Sequence, residues 1–302
     1  MQKKRSTKTL GNQQQENTIL LVSKNTELMK FLLEGLPKKS RNNIKSLLAN
    51  KQVIVEGKWV KQFNHLLFPG QKVEVRWNRV PEERKYPGIK IIHEDDDIII
   101  IDKEAGMLSI ATDREKTKTA YSMLSAHVKS QSPDNRIFVV HRLDRDTSGL
   151  MMFAKNENVK RKVQSSWEES ISERTYIAVV EGIPVKPEGT ITSFLHESKA
   201  MIVYSSQNPE HGQKAITHYE TMQTGNIYAL LKVNLDTGRK NQIRVHLQTL
   251  GYPIAGDKKY GAKTNPIGRL GLHAWVLAFE HPVSHEKLRF ETSIPGKFLH
   301  LV

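Results

Sequence analysis

Positive charge is concentrated in the first quarter of this 302-residue chain, and this asymmetry indicates how the chain divides into domains. Residues 1–80 hold 16 Lys and Arg against 5 Asp and Glu, a net charge of +11. Residues 81–302 hold 30 against 27, a net charge of +3. The segment RVPEERKYPG (79–88) has two prolines, a glycine and alternating charges, which is typical of a linker. Two modules with different tasks explain this pattern better than one uniformly basic domain.

Composition excludes several classes of protein. A net charge of +14 favours nucleic acid or an anionic surface as partner. The absence of cysteine excludes disulfides, Cys-ligated metals and thiol catalysis, and fits a cytoplasmic protein. The Ile98–Ile101 run is far too short to span a membrane, so no membrane segment is expected. Residues 1–17 lack the apolar core of a secretory signal and are predicted to be a disordered basic tail, with an organellar transit peptide as the weaker alternative.

The first module, residues 18–78, mixes strand and helix patterns. TILLV (18–22) is typical of a short strand, and leucines recur at helical spacing from Leu28 until Pro37 ends the helix. Ser40 can cap a second helix, SRNNIKSLLAN, after which QVIVEGKWV and QKVEVRW alternate as strands. The predicted unit is small but large enough to fold.

Basic residues of this module are candidates for RNA binding, namely Arg41, Lys45, Lys51 and Lys58. Each alone is more readily explained as a solvated charge, but together they indicate a phosphate-binding surface. Residues 28–75 resemble an S4 RNA-binding domain in Ser40-Arg41, in VEGK (55–58) and in GQKVEV (70–75). The family's usual Asn before the turn glycine is Glu56 here. The resemblance implies binding of structured RNA.

The second module, residues 89–302, consists mainly of strand patterns with scattered helices. Apolar or alternating runs predict strands at IKIIHED, DIIIIDK, RIFVVH, LMMFAKN, RTYIAVVEG, AITHYETM, YALLKVNL, LHAWVLAFEHP and KLRFETSIPG. Helical spacing appears in TAYSMLSAHVK, NENVKRKVQSSWEES and NQIRVHLQTLG. This order predicts an α+β fold with a mainly antiparallel mixed sheet.

The decapeptide HRLDRDTSGL (141–150) is the first chemical candidate. Asp144 follows a predicted strand, in a turn closed by Thr147, and the flanking Arg142 and Arg145 favour its ionised form. An ionised carboxylate can attack carbon or stabilise a developing cation. A salt-bridged turn explains the bare string equally well.

A second candidate lies in residues 235–261. Thr237-Gly238-Arg239-Lys240 is a cationic loop that opens onto a helix, where free N–H groups suit a phosphate. Gln242 suits a base edge, and Arg244 suits a buried carboxylate. Tyr176, on a strand, can stack on a base or be an ordinary half-buried core residue.

The second module resembles the RluA-type pseudouridine synthases over nearly its whole length. The matching strings are HRLD with TSG, Arg174-Thr175-Tyr176, TGR with QIR, Gly256-Asp257 with Tyr260-Gly261, and LGLHA (270–274). The resemblance implies a catalytic aspartate at Asp144, a base-stacking Tyr176 and an Arg244 paired with the aspartate. The same resemblance places the remaining substrate-binding residues at Arg142, Thr147, Gly238, Arg239, Gln242, Ile243 and Leu272. Arg142 would help to displace the flipped base.

The reaction implied is isomerisation of uridine to pseudouridine in RNA, without cofactor or metal, by attack of the aspartate on C1′ or by a glycal-type route. Within the family, an S4 domain favours large-subunit (23S) ribosomal RNA as the substrate, with transfer RNA as the alternative. The protein is expected to be a monomer. Two departures are Asn241, where the family has His, and Lys103-Glu104-Ala105-Gly106, where it has Lys-Pro-x-Gly. A non-catalytic RNA-binding or ribosome-assembly protein is the alternative, and the intact motifs argue against it.

Overall fold

The computed structural model describes residues 17–37, 39–49, 51–77, 86–113 and 115–302, and of Glu168 the main chain only. The predicted tail up to residue 16 and the linker from 79 to 85 lie outside these ranges. The chain divides into two compact units between residues 84 and 85. The domain limits drawn from the sequence, 18–78 and 89–302, stay predictions.

The first unit combines two helices with short antiparallel strands. Its elements are β1 (Thr18–Leu21), β2 (Thr26–Glu27), α1 (Leu28–Gly35), α2 (Arg41–Ala49), β3 (Val53–Val55), β4 (Lys58–Trp59), β5 (Leu66–Leu67) and β6 (Lys72–Val75). The sheet order is β1-β6-β3-β4, and β2 pairs with β5. Ser40 begins α2 as expected, because its Oγ accepts a hydrogen bond from Asn43 N at 3.2 Å. The leucines of α1 and α2 pack on the valines of β3 and β6.

The second unit is built on an eleven-stranded sheet. Its first half contains β7 (Ile89–Glu94), β8 (Ile98–Lys103), α3 (Ala120–Gln131), β9 (Phe138–Val139), β10 (Ser148–Ala154), α4 (Glu157–Ser165), α5 (Trp167–Ser170) and β11 (Ile171–Glu181). Its second half contains β12 (Glu188–Glu197), β13 (Val203–Ser206), β14 (Gln213–Thr224), β15 (Tyr228–Leu235), α6 (Gln242–Thr249), a 3-10 turn (Lys258–Tyr260), β16 (Leu272–Glu280), β17 (Lys287–Glu291) and α7 (Gly296–Leu299).

The main sheet runs β13-β12-β14-β15-β11-β16-β10-β8-β7, with β17 on β16 and β9 on β10. Between the named strands of this sheet, in the described part of the chain, every pairing is antiparallel except β10 with β16, so the predicted α+β, mainly antiparallel architecture is confirmed. The isoleucine run of β8 is buried on both faces: Ile99 and Ile101 face α3, while Ile98 and Ile100 face α4. Burial of each such side chain contributes roughly 1.5–3 kcal/mol.

Three sequence predictions were wrong in detail. RIFVVH forms only the two-residue strand β9, which is half-buried. NENVKRKVQSSWEES is not one helix, because Ser166 leaves the helical conformation and separates α4 from α5. Leu250, near the end of the predicted helix NQIRVHLQTLG, lies beyond the end of α6 and is 36% exposed, so it is not a buried helical residue. Strands β12 and β13 were not predicted.

Candidate active site

The turn that carries Asp144 lies directly before β10 and is fixed on both sides. Thr147 N donates to the Asp144 carbonyl at 3.2 Å, and Leu143 packs in the core beneath. Gly149 has a φ of +112°, and a Cβ there would stand 2.1 Å from the Ala274 carbonyl oxygen of β16. The glycine is therefore required for β10 and β16 to approach each other just after the turn ends.

A buried lysine supports this turn from below. Lys103 is fully buried, and its Nζ donates to the carbonyls of Arg145 at 3.1 Å and Met107 at 2.9 Å. Gly106 N also donates to the Arg145 carbonyl, at 2.8 Å. Burial lowers the pKa of Lys103 to about 8, while the Asp146 and Asp144 carboxylates oppose that shift. The loop that lacks the family's proline is thus bonded directly to the Asp144 turn.

Arg244, on α6, joins two carboxylates. Its Nε and Nη2 form a bidentate pair with Asp257, both at 2.7 Å, and its Nη1 lies 3.3 Å from Asp144 Oδ2. The Asp257 side chain is 1% exposed and that of Asp144 is 35% exposed. Burial alone would lower the pKa of Arg244, but the Asp257 and Asp144 carboxylates raise it above its ordinary value. The resemblance implied Asp144 as the partner, whereas the bidentate partner is Asp257.

The other side of Arg244 is held by a polar and aromatic contact. Asn241 Oδ1 accepts from Arg244 Nη1 at 3.1 Å, and Asn241 Nδ2 donates to the Tyr260 hydroxyl at 3.0 Å. The Arg244 guanidinium also lies 4.9 Å from the Tyr260 ring centroid. Asn241 therefore positions Arg244 directly, which gives a local role to this departure from the family's histidine.

Tyr176 lies on β11, where it is paired with Ala274 of β16 and Val233 of β15. Its ring is half-buried and packs against two of the core clusters. Burial raises the pKa of the Tyr176 hydroxyl, and the charge of Asp144 raises it further. The phenol is therefore neutral at physiological pH.

The ten predicted catalytic and substrate-binding residues meet in one cavity of about 640 Å³. They are Arg142, Asp144, Thr147, Tyr176, Gly238, Arg239, Gln242, Ile243, Arg244 and Leu272. Five cationic side chains and two carboxylates line this cavity, namely Arg142, Arg174, Arg239, Lys240 and Arg244 against Asp144 and Glu169, a net charge of +3. Such a surplus suits a polyanionic ligand. The predicted RNA-binding residues Arg41, Lys45, Lys51 and Lys58 belong to the first unit.

Gln242 corrects one expectation from the sequence. It is 2% exposed, and its Oε1 accepts from Thr237 Oγ1 at 2.8 Å and Arg239 N at 2.9 Å. Its Nε2 donates to the Ile216 carbonyl and to Thr217 Oγ1. All four hydrogen-bonding positions of the amide are used inside the protein, so Gln242 holds the 237–239 loop instead of contacting a base edge.

The cationic loop also differs from the expected phosphate cradle. The main-chain N–H groups of Arg239 and Gln242 already donate within the loop. Lys240 Nζ is paired with Glu197, and Arg239 Nε donates to the Lys214 carbonyl at 3.2 Å. The charge of the Arg239 side chain, and not a set of free main-chain N–H groups, is therefore what this loop offers to an anion.

Sequence reasoning did not select three residues of the cavity wall. Arg174 donates to the Leu235 and Asp236 carbonyls and lies 5.6 Å from the Trp167 ring centroid. His141 packs on Trp167 with ring centroids 5.0 Å apart, and its Nε2 accepts from Met152 N. Burial lowers the pKa of His141 to about 3, so the ring is neutral and structural. The interruption after α4 brings Trp167 to this wall, which periodicity alone did not predict.

Comparison with known proteins identifies the family. Residues 97–249 match the family model described as RNA pseudouridylate synthase. The chain is 33% identical over 289 residues to the uncharacterized RNA pseudouridine synthase YlyB of Bacillus subtilis, covering 92% of this chain and 94% of that one. The chain belongs to the RNA pseudouridine synthase family. The predicted enzyme class is therefore confirmed: the protein is an RNA pseudouridine synthase, an isomerase.

Two further comparisons bear on this RNA pseudouridine synthase. It is 30% identical to the ribosomal large subunit pseudouridine synthase D of Haemophilus ducreyi, covering 90% of this chain and 88% of that one. The solved structure of human RNA pseudouridylate synthase domain containing 4 covers 70% of this chain and 90% of its own, with a TM-score of 0.57 at 22% identity. This likeness supports the fold. No helix in the described part of the synthase is long and apolar enough to span a membrane.

Proposed function

We propose that this synthase converts specific uridines of large-subunit ribosomal RNA to pseudouridine, with Asp144 as the catalytic carboxylate. The observation that carries the proposal is the linked arrangement of Asp144, Arg244 and Asp257 in a cationic cavity that Tyr176 also lines. The Arg244 guanidinium, held by two hydrogen bonds to Asp257, contacts the partly exposed Asp144 carboxylate and holds it in place.

The chemistry breaks the N1–C1′ bond of uridine, turns the uracil and joins its C5 to C1′. Attack of Asp144 on C1′ and a glycal-type route both need an ionised carboxylate next to the ribose. Ile243 and Leu272 supply apolar walls of the cavity, and the Tyr176 ring supplies a face for the uracil. No water has to be activated, because the base is retained in the product.

Uridine within a folded RNA reaches this cavity only after it leaves its stack. Arg142 is exposed on the cavity wall and makes no hydrogen bond or ion pair within the described ranges. Its guanidinium is thus free to stack in place of the displaced base or to bind a flanking phosphate. Base flipping costs a few kcal/mol, which binding of the surrounding RNA must offset.

We further infer that the first unit is an S4-like RNA-binding domain. Arg41 and Lys45 are both exposed on α2, four residues apart and therefore on one side of the helix. Lys51 and Lys58 line a groove of about 820 Å³ that also contains Trp59, which is 41% exposed. Cationic groups beside an exposed aromatic ring suit the phosphates and bases of RNA. Glu56 and Gly57 both have positive φ, as a tight turn between β3 and β4 requires.

Relatives that are named for the large ribosomal subunit support the proposed substrate. We propose 23S ribosomal RNA as substrate and a monomer acting in the cytoplasm. The test is to incubate the purified protein separately with large-subunit rRNA, small-subunit rRNA and tRNA transcripts and to map pseudouridines in each. Pseudouridine in large-subunit rRNA alone supports the proposal. Modification confined to tRNA would refute ribosomal RNA as the substrate and leave tRNA in its place. Modification of none of the three would refute the catalytic proposal.

A further inference from the structure

Two aromatic rings are exposed on the face of β12 and β13 that points away from α6 (the outer face). His196 and Tyr204 are paired across these strands, so both side chains stand on the same face of the sheet. Their ring centroids are 5.7 Å apart, and the ring planes differ by 28°. Tyr204 is 47% exposed, His196 is exposed as well, and neither ring makes a hydrogen bond within the described ranges. Both rings are therefore accessible to a ligand.

The opposite face of the same two strands belongs to the core. Leu195 and Val203 are buried there and pack with Val245 of α6 and with Tyr260. Because side chains alternate between the two faces along a strand, the aromatic pair of the outer face lies outside this core. Core packing therefore does not account for the aromatic pair.

The outer face adjoins the wall of the proposed active-site cavity. Arg239 and Lys240 both line that cavity. Arg239 Nε donates to the Lys214 carbonyl of β14 at 3.2 Å, and Lys240 is paired with Glu197, the residue after His196. An RNA whose target uridine occupies the cavity can therefore place a neighbouring nucleotide on the outer face.

Positive charge borders the outer face. The exposed cations that border it without a carboxylate partner in the described part of the chain are Lys199, Lys214, Arg239 and Lys259. In residues 196–214 and 236–240, all of which are described, the carboxylates of Glu197 and Asp236 have cationic or histidine partners, and Glu210 alone has none. This surplus suits a polyanion, whereas the interfaces between proteins are depleted in lysine.

We propose that the outer face of β12 and β13 binds a single-stranded stretch of the substrate RNA beside the target uridine, which rests on the proposed function. A base of this stretch stacks on the rings of Tyr204 and His196, while Lys199 and Lys214 meet its phosphates. Since every base has a face that can stack, the outer face contributes affinity and orientation, and it does not select a sequence. The binding free energy gained there offsets part of the cost of base flipping.

The test uses full-length protein and four variants of exposed side chains. Tyr204→Ala removes a ring of the outer face, and Tyr204→Phe keeps the ring without its hydroxyl. A double variant, Lys199→Gln with Lys214→Gln, removes two charges. The matched control is Tyr121→Ala, because Tyr121 is a 38% exposed tyrosine on α3 of the same unit and does not line the cavity. Thermal unfolding shows whether each variant is folded.

Affinity is measured by fluorescence anisotropy with a single-stranded oligouridylate of about twelve nucleotides, a length within the site sizes of single-strand binders. Tyr204→Ala is expected to raise Kd roughly fivefold or more, the lower limit for loss of one stacked base. Tyr204→Phe and Tyr121→Ala should leave Kd unchanged. The lysine double variant should reduce the slope of log affinity against log salt by about 1.4.

Cross-linking locates the bound strand independently of affinity. The same oligouridylate, carrying 5-iodouridine, is irradiated with the protein, and attachment to Tyr204 or His196 is expected in the peptide map. If neither ring is cross-linked and Tyr204→Ala binds as the wild type does, RNA is refuted as the occupant, and a protein partner takes its place. Neither assay needs turnover. Pseudouridine formation in large-subunit rRNA is measured separately, so failure here leaves the proposed function intact.

Discussion

Replacement of Asp257 with Asn tests whether this residue fixes Arg244 in the proposed active site. Both oxygens of Asp257 receive hydrogen bonds of 2.7 Å from a guanidinium that is 15% exposed, while Asp257 itself is 1% exposed. Removal of one partner of a buried ion pair costs about 3–5 kcal/mol. Because Asn keeps one acceptor oxygen, we place the loss of unfolding free energy at the lower end, about 3 kcal/mol.

The same substitution should lower turnover. When the bidentate pair with Asp257 is broken, Arg244 can leave its position 3.3 Å from Asp144. A loss of about 1.4–2.7 kcal/mol of transition-state stabilisation corresponds to a fall in kcat/KM of roughly 10- to 100-fold. Urea unfolding measures the first effect, and tritium release from RNA labelled at uridine C5 measures the second.

The matched control for this experiment is Asp146→Asn. Asp146 is 45% exposed and paired with Arg145, so the change should cost less than about 1 kcal/mol and leave turnover intact. If Asp257→Asn unfolds within 1 kcal/mol of the wild type and turns over at the same rate, the claim that Asp257 positions Arg244 is refuted.

Three further predictions concern stacking, pH and RNA affinity. Tyr176→Leu should lower kcat/KM by roughly 5- to 150-fold, because base stacking contributes about 1–3 kcal/mol, and an unchanged value would contradict stacking. Burial lowers the pKa of His246 to about 4, so the unfolded state binds the extra proton below pH 6.5. Stability should then fall between pH 6.5 and 4 by up to about 1.4 kcal/mol per pH unit from this residue, and His246→Gln should flatten that slope in urea melts. Replacing Arg41 and Lys45 with Gln should reduce the slope of log affinity for RNA against log salt by about 1.4–1.8, while Lys186→Gln, in the second unit, should not.

Local pattern was sufficient for most of the second unit's strands. The β8 run of isoleucines and the capped start of α3 at Thr119 need only neighbouring residues to be recognised. The same reasoning failed at Ser166, where hydrogen bonding of the serine hydroxyl to Lys162 O competes with a continuous helix. That failure concealed Trp167 as part of the cavity wall.

Sequence motifs predicted which residues belong to the candidate site, but not how those residues contact one another. Asp144, Tyr176 and Arg244 stand in separate strings, and the fold brings them to one cavity as the resemblance implied. The bidentate partnership of Arg244 with Asp257 depends on how α6 packs beside the 3-10 turn, which no spacing encodes. Gln242 was misread for the same reason, since two of its four partners lie on β14, about 25 residues away in the sequence.

The central claim is that the Asp144 carboxylate performs the isomerisation. The most direct measurement is single-turnover tritium release from large-subunit ribosomal RNA labelled at uridine C5, with wild type, Asp144→Asn and Asp146→Asn compared at equal RNA occupancy. We predict release by the wild type and by Asp146→Asn, and none above the enzyme-free background by Asp144→Asn. Release by Asp144→Asn at the wild-type rate would contradict the account.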